Sequence, residues 1–118
     1  MTVATEQVLL RLTLSNVTPW HTGAMYEAIV GRARHDKLAG ATVLGARHGY
    51  VARGRILGEH PGALVPEHPV VVEIVERREA IDAFLAGLEP MLAGHAVGIT
   101  FESVRVVAPG GPRQEGES

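Results

Sequence analysis

The chain has 118 residues, a size that suits one domain with a single core and leaves much of its surface exposed. Hydrophobic residues make up 46% and charged residues 20%, and the formal net charge of -2 excludes a nucleic-acid binder held by bulk phosphate neutralisation. With no cysteine, disulfide frameworks and thiolate chemistry, Cys-based zinc sites included, are excluded as well.

MTVATEQ at the amino terminus lacks a basic start followed by an apolar run. No apolar stretch reaches the about 20 residues that a membrane helix needs. The expectation is a cytoplasmic protein without membrane insertion, in which residues 1–7 are flexible. The first strand follows: Val8, Leu10, Leu12 and Leu14 alternate with Leu9, Arg11 and Thr13, the period of a half-buried strand. Thr22 is placed to cap a helix in which Met25, Ile29 and Ala33 share one face, and Gly40 suits its end. ATVL, residues 41–44, makes a second strand. VVVEIVE, residues 70–76, makes a third, rich in β-branched side chains. Ile81, Phe84, Leu85, Leu88 and Leu92 then fall at helical spacing, while Gly87 and Pro90 weaken the last turns of that second helix. A final strand runs over residues 97–107, and the tail 108–118 has the composition of a disordered end.

The order is β-α-β-β-α-β, the split βαβ or ferredoxin-like pattern of the α+β class, with two helices on one face of a four-stranded antiparallel sheet. The domain is expected to span residues 8–107. Helices cover one face only, yet the third and last strands carry apolar residues on both parities, with Val71 and Val75 flanking Glu73 on the second face. A sheet apolar on both faces needs another cover, which copies of the same chain can supply as a dimer or trimer. Between the second and third strands lies a Gly-, Arg- and His-rich excursion, residues 45–69, with no helical or strand period. About 25 residues is far longer than an ordinary hairpin loop, and loops of that length are usually functional or disordered.

MYEAIVGRARHDKLAGATV at residues 25–43, the pair Gly49 and Tyr50, the long loop and HPVVVEIVERREAIDAFL at residues 68–85 together resemble the uncharacterised PII-like family known as domain of unknown function 190. The likeness covers residues 9–107, and its most specific part is AGATV joined to the downstream PVVVEIV. What it implies is a relative of the PII signal-transduction proteins: a homotrimer with inward-facing sheets, with no enzymatic activity of its own. An adenine nucleotide would serve as effector in the cleft between subunits. The long loop would be the counterpart of the T-loop that docks on partner proteins, such as a membrane transporter or an enzyme.

Carried over by that resemblance, the cleft would be lined by Thr42, Arg47 and Gly49, then by Gly94, His95 and Gly98 of the segment AGHAVG, with Arg105 of a neighbouring subunit completing it. Glycines there let backbone N–H groups approach phosphate oxygens, and Arg or protonated His adds a charge-assisted contact. Arg53, Arg55 and His60 would face a partner. The chain departs from the family pattern at Val51, where PII proteins continue a Gly-aromatic-Gly run, and its AGHAVG segment has no lysine. This smaller basic complement suits a mono- or diphosphate, a different small ligand or no nucleotide at all better than a triphosphate.

Two other readings compete. A small ferredoxin-like oligomeric enzyme would use Glu73 or a histidine as proton carrier and needs an apolar pocket between helices and sheet; the alternative for Glu73 is a pair with an arginine. A trimer resembling the cation-tolerance CutA family would bind metal through His48, His60 and His68, although their spacings match no ligand template. Trp20 and His21 form an aromatic pair that suits either stacking on a ligand or packing at the helix start. No Walker A loop, dinucleotide fingerprint or Ser-His-Asp spacing occurs.

Overall fold

The computed structural model describes residues 2–58 and 67–109. The chain runs β1 (Thr2–Ser15), α1 (Met25–His35), β2 (Thr42–Gly45), β3 (Pro69–Glu76), α2 (Arg78–Leu92) and β4 (Gly98–Pro109). The four strands form one antiparallel sheet in the order β2-β3-β1-β4, as the ferredoxin-like pattern requires. Each βαβ crossover places its helix on the same face, so both helices lie on one side.

The alternation in β1 decides which face that is. Val8, Leu10, Leu12 and Leu14 are buried and stand in register with Glu76, Ile74, Val72 and Val70 of β3. Against them pack Met25, Ile29 and Ala33 of α1 and Ile81, Phe84, Leu88 and Met91 of α2. Each fully buried side chain of this kind contributes about 1.5–3 kcal/mol by leaving water. Leu9, Arg11 and Thr13 have the opposite parity and face away from the helices, beside Val71, Glu73 and Val75.

Several local features differ from the sequence expectation. β1 begins at Thr2 rather than Val8, because β4 continues to Pro109 and supplies ladder partners as far as the Thr2–Pro109 pair. Residues 2–7 are therefore strand, and so are residues 108–109 of the expected tail; a cross-strand partner is invisible to the periodicity of one segment. β3 stops at the Val8–Glu76 pair, so beyond Val8 the sheet narrows to a two-stranded arm. Thr22 does not cap α1. It lies in the tight turn between Pro19–Trp20 and Gly23–Ala24, the cap position falls on Ala24, and no side chain caps it. Gly40 does not end α1 either. Lys37 takes the left-handed conformation at φ 60°, with Leu38 N–H donating to the Ala33 carbonyl at 3.0 Å. Pro90 is accommodated inside α2, since it removes one hydrogen bond near the end while Leu88 and Met91 stay in the core.

Candidate functional site at the base of the excursion

The excursion is structured at its base. His48–Gly49 pairs with Leu57–Gly58, and Gly58 bridges to Glu67. Between them Ala52 and Arg53 both have positive φ, 49° and 57°, and Gly54 N–H donates to the Val51 carbonyl at 2.8 Å. That is the signature of a type I′ turn, which normally favours Asn and Gly at its centre. Two non-glycine residues held left-handed store strain of about 1–2 kcal/mol each. The chief apolar anchor is Leu57, which is buried.

Gly58, which the sequence reading passed over, makes this base possible. Its φ is +148°, and a Cβ there would lie 2.6 Å from Nδ1 of His48 and 2.9 Å from the Arg47 carbonyl oxygen. Its position two residues after Ile56 and just before an acidic residue gave no periodic signal; only the close crossing of two backbone segments reveals it. Gly49 at φ +155° is the second conformationally demanding residue of the base.

The base folds back over the end of the sheet where β1 finishes and β4 starts. A Cβ on Gly98 would meet Val51 Cβ at 3.9 Å, and one on Gly54 would meet Ala96 Cβ at 3.8 Å. Arg47, Gly49 and Gly98 of the expected cleft thus share one end of the molecule, and Val51 occupies the space beside Gly98. Gly94 and His95 are exposed. Gly94 has φ +80° just after α2, a conformational duty independent of any ligand. Thr42 faces the other way. It pairs with Glu73 and lines a cleft of about 500 Å³ on the open face, together with Gln7, Leu9, Val75 and Val106. Arg105, exposed and in register with Glu6, is seven residues along β4 from Gly98, roughly 23 Å at strand rise, so it cannot join the loop base within one chain. Arg53 and Arg55 are exposed on the excursion, and Arg55 forms an ion pair with Glu67. His60 lies outside the described residues.

In the middle of the open face, Arg11 Nε donates to Glu73 Oε2 at 3.0 Å and Nη1 to Glu102 Oε1 at 2.9 Å. Glu73 is therefore paired with an arginine. The sequence reading missed Arg11 as the partner, though a charge at the centre of an apolar strand opposite another charge was the available signal. Hydrogen bonds from Arg11 to Glu73 and then Glu102 hold the guanidinium above its ordinary pKa. A raised folded-state value stabilises the fold below the unfolded one, so this contribution spans the physiological range and is lost as pH rises into strong alkali. Around the trio, Leu9, Val71 and Val75 are half-buried and Leu44 is 49% exposed.

Other features bear on the competing readings. Trp20 packs against the core with its ring edge-on to His21, centroids 4.7 Å apart, which accounts for it as packing at the start of α1. Leu10, Leu12, Ile29, Phe84 and Leu88 fill the centre of the space between sheet and helices, an open apolar cleft of about 470 Å³ lies between α2 and Ile99 of β4, and Glu73 faces away from both. Among the described residues, no group of three or more His, Asp or Glu side chains stands close enough to hold a metal ion, and no helix is long and apolar enough to cross a membrane.

The family model described as DUF190, Uncharacterized ACR, COG1993 matches residues 7–106. A UPF0166 protein of Aquifex aeolicus (strain VF5) is 34% identical over 102 residues, covering 86% of this chain and 94% of the relative. Among solved structures, CPII of Thiomonas intermedia K12 bound to ADP and bicarbonate matches with a TM-score of 0.67 at 17% identity, over 91% of this chain and 94% of its own. The same protein, a nitrogen regulatory PII-like protein, bound to ADP, AMP and bicarbonate gives 0.70 at 15% identity, over 91% and 93%. A PII-like signaling protein of Thermus thermophilus gives 0.62 at 18% identity, over 87% and 91%. The strand order, the helices on one face and the long excursion after β2 are thus those of a PII-like fold, and the chain belongs to the DUF190 family.

Proposed function

We propose that the chain is the subunit of a homotrimeric, non-enzymatic PII-like regulator in the cytoplasm. An adenine nucleotide binds in the cleft between neighbouring subunits and changes the order of residues 45–69, which then dock on or release a partner protein. The carrying observation is the folded-back excursion, which brings Arg47, Gly49 and Gly98 to one end of the sheet over a strained turn. For such a switch, the ligand must interact differently with two loop states, and a strained, sparsely anchored loop has a second state within reach.

Three further points support this reading. The open face presents Leu9, Leu44, Val71 and Val75 as a surface for self-association. Arg105 sits on the two-stranded arm, far from its own loop base, where a neighbouring subunit would have to receive it. A two-stranded ribbon is marginal alone and gains from a partner. Binding of ADP and AMP by CPII favours a mono- or diphosphate effector, in keeping with the small basic complement here.

The experiment is calorimetric titration of the purified protein with ATP, ADP, AMP and cyclic AMP, its mass checked by light scattering. The expected result is a trimer binding ADP or AMP saturably at one per subunit, with binding lost in Arg47→Ala. A well-folded oligomer that binds none of the four removes the nucleotide from the reading.

A further inference from the structure

Within one chain, the charged trio on the open face has little to do. Arg11 stands in register with Glu73 on β3, and Glu102 lies diagonally opposite on β4, because the pairs there are Leu9–Glu102 and Arg11–Thr100. The side chains of Arg11, Glu73 and Glu102 are 40%, 27% and 55% exposed. Ion pairs as open to water as these contribute little, because solvent screens them and ordering long side chains costs entropy. Apolar side chains nevertheless surround the trio: Leu9, Val71 and Val75 are half-buried and Leu44 is exposed. Whatever covers that rim must cover the charges too.

The hydrogen-bonding groups left over show what the cover must bring. Arg11 donates from Nε to Glu73 and from Nη1 to Glu102, while Nη2, which carries two more N–H groups, makes no hydrogen bond among the described residues. Glu73 Oε1 and Glu102 Oε2 likewise accept none there. Two carboxylates share one guanidinium, so the trio carries a surplus negative charge. A purely apolar partner surface would strand that charge and the unused donors away from water, at a large cost in free energy. A copy of the same chain brings the matching set: Nη2 donors for the unused carboxylate oxygens, and carboxylates for Nη2. Glu102, the most exposed of the three, stands where the surplus charge keeps contact with water. Charge complementarity thus selects a second copy as the occupant of this face, and the apolar rim supplies the attraction.

We propose that Arg11, Glu73 and Glu102 are a register lock for self-association, in which Nη2 of each Arg11 donates to a carboxylate of the neighbouring copy. The proposal rests on the reading that copies of this chain cover the open face, and adds the residues that choose the partner and its alignment. The rim of leucine and valine drives contact without direction, since apolar burial depends on area rather than on position. The trio supplies the direction. Sliding one sheet along a strand by two residues, about 7 Å, sets a guanidinium against leucine or valine and leaves a charge unpaired in a dry interface. The aligned copy keeps the charges bonded, the role that a single buried polar residue plays in fixing the register of a coiled coil. A chain with the same apolar rim and a different charge pattern is rejected by the same cost.

Charge reversal tests the bridge between copies. In the full-length chain, Arg11→Glu alone makes the trio wholly acidic, and adding Glu73→Arg and Glu102→Arg reverses it entirely. Sedimentation velocity follows assembly, and native mass spectrometry follows subunit exchange after each variant is mixed with the wild type. The wild type should be oligomeric, and Arg11→Glu should raise the dissociation midpoint at least about 100-fold by leaving carboxylates unpaired in the interface. The fully reversed chain should assemble with itself and form no mixed oligomers with the wild type. Free mixing of the two overturns the lock, since charges paired only within each chain would not tell the copies apart; so does an Arg11→Glu chain that assembles as the wild type does. Should the reversed chain fail to fold or assemble, Arg11→Lys decides: an ammonium lacks the fork, so the midpoint should rise about tenfold, and an unchanged midpoint overturns the lock. A wild type that stays monomeric sinks the trimer reading and the lock with it; an oligomer indifferent to these substitutions sinks the lock alone.

Discussion

The sheet with its two helices and the base of the excursion are held together by different means. In the first, more than a dozen apolar side chains interlock, and losing one contact leaves the others in place. In the second, one buried leucine, a two-residue ladder, the Gly58–Glu67 bridge, the Arg55–Glu67 ion pair and a turn hydrogen bond work against two left-handed non-glycine residues. The core has a large margin and one arrangement. The excursion base has a small margin, which is what the proposed switch between two loop states requires.

The contrast can be broken most severely from the core side. Phe84→Ala, at a residue 1% exposed, should cost about 3–5 kcal/mol by lost transfer energy and the cavity left behind. Urea unfolding followed by circular dichroism measures it, and a loss below about 1 kcal/mol would mean the core is looser than described. Next comes Gly58→Ala, which sets a Cβ against the Arg47 carbonyl and His48. Strain of about 1–3 kcal/mol should fall on the excursion alone. Tryptic cleavage after Arg53 should accelerate sharply while the global melting midpoint barely moves; a matching drop in both would show that the two regions unfold as one.

The opposite change sharpens the comparison. Replacing Ala52→Asn with Arg53→Gly installs the Asn-Gly pair that a type I′ turn favours. Relief of about 1–2 kcal/mol should slow hydrogen exchange at the Gly54 amide by roughly 5–30-fold. Exchange at an unchanged rate would deny the stored strain. The smallest effect is expected at Gly87→Ala in α2. The added Cβ would lie 2.7 Å from Arg32 Nη2, the far end of a flexible, partly exposed side chain that can move. Better helix propensity, about 0.5–1 kcal/mol, should therefore leave the protein slightly more stable. A clear destabilisation would show that Arg32 is pinned between the helices.

Much of the architecture was legible from alternation. Val8 to Leu14 and Val70 to Ile74 reveal their buried face by parity, and Ile81, Phe84 and Leu88 by helical spacing. The residues of the candidate site were less legible. Val51 lies against Gly98, at the end of the sheet that Gly49 also occupies, but Thr42 joins a separate cleft and Arg105 lies at the far end of β4. Gly58 and the Arg11 partnership with Glu73 went unread, because each depends on a segment more than nine residues away in sequence.

By itself, the order of amino acids determined what burial can select: which side chains avoid water, at what period, and hence two helices on one face of an antiparallel sheet. Tertiary structure alone decided where helix ends fall, how far β1 and β4 extend together, and how the excursion crosses its own base. Those outcomes depend on backbone hydrogen-bond partners and on clashes between distant segments. Neither leaves a periodic trace, since the atoms that settle them become neighbours only when the chain has folded.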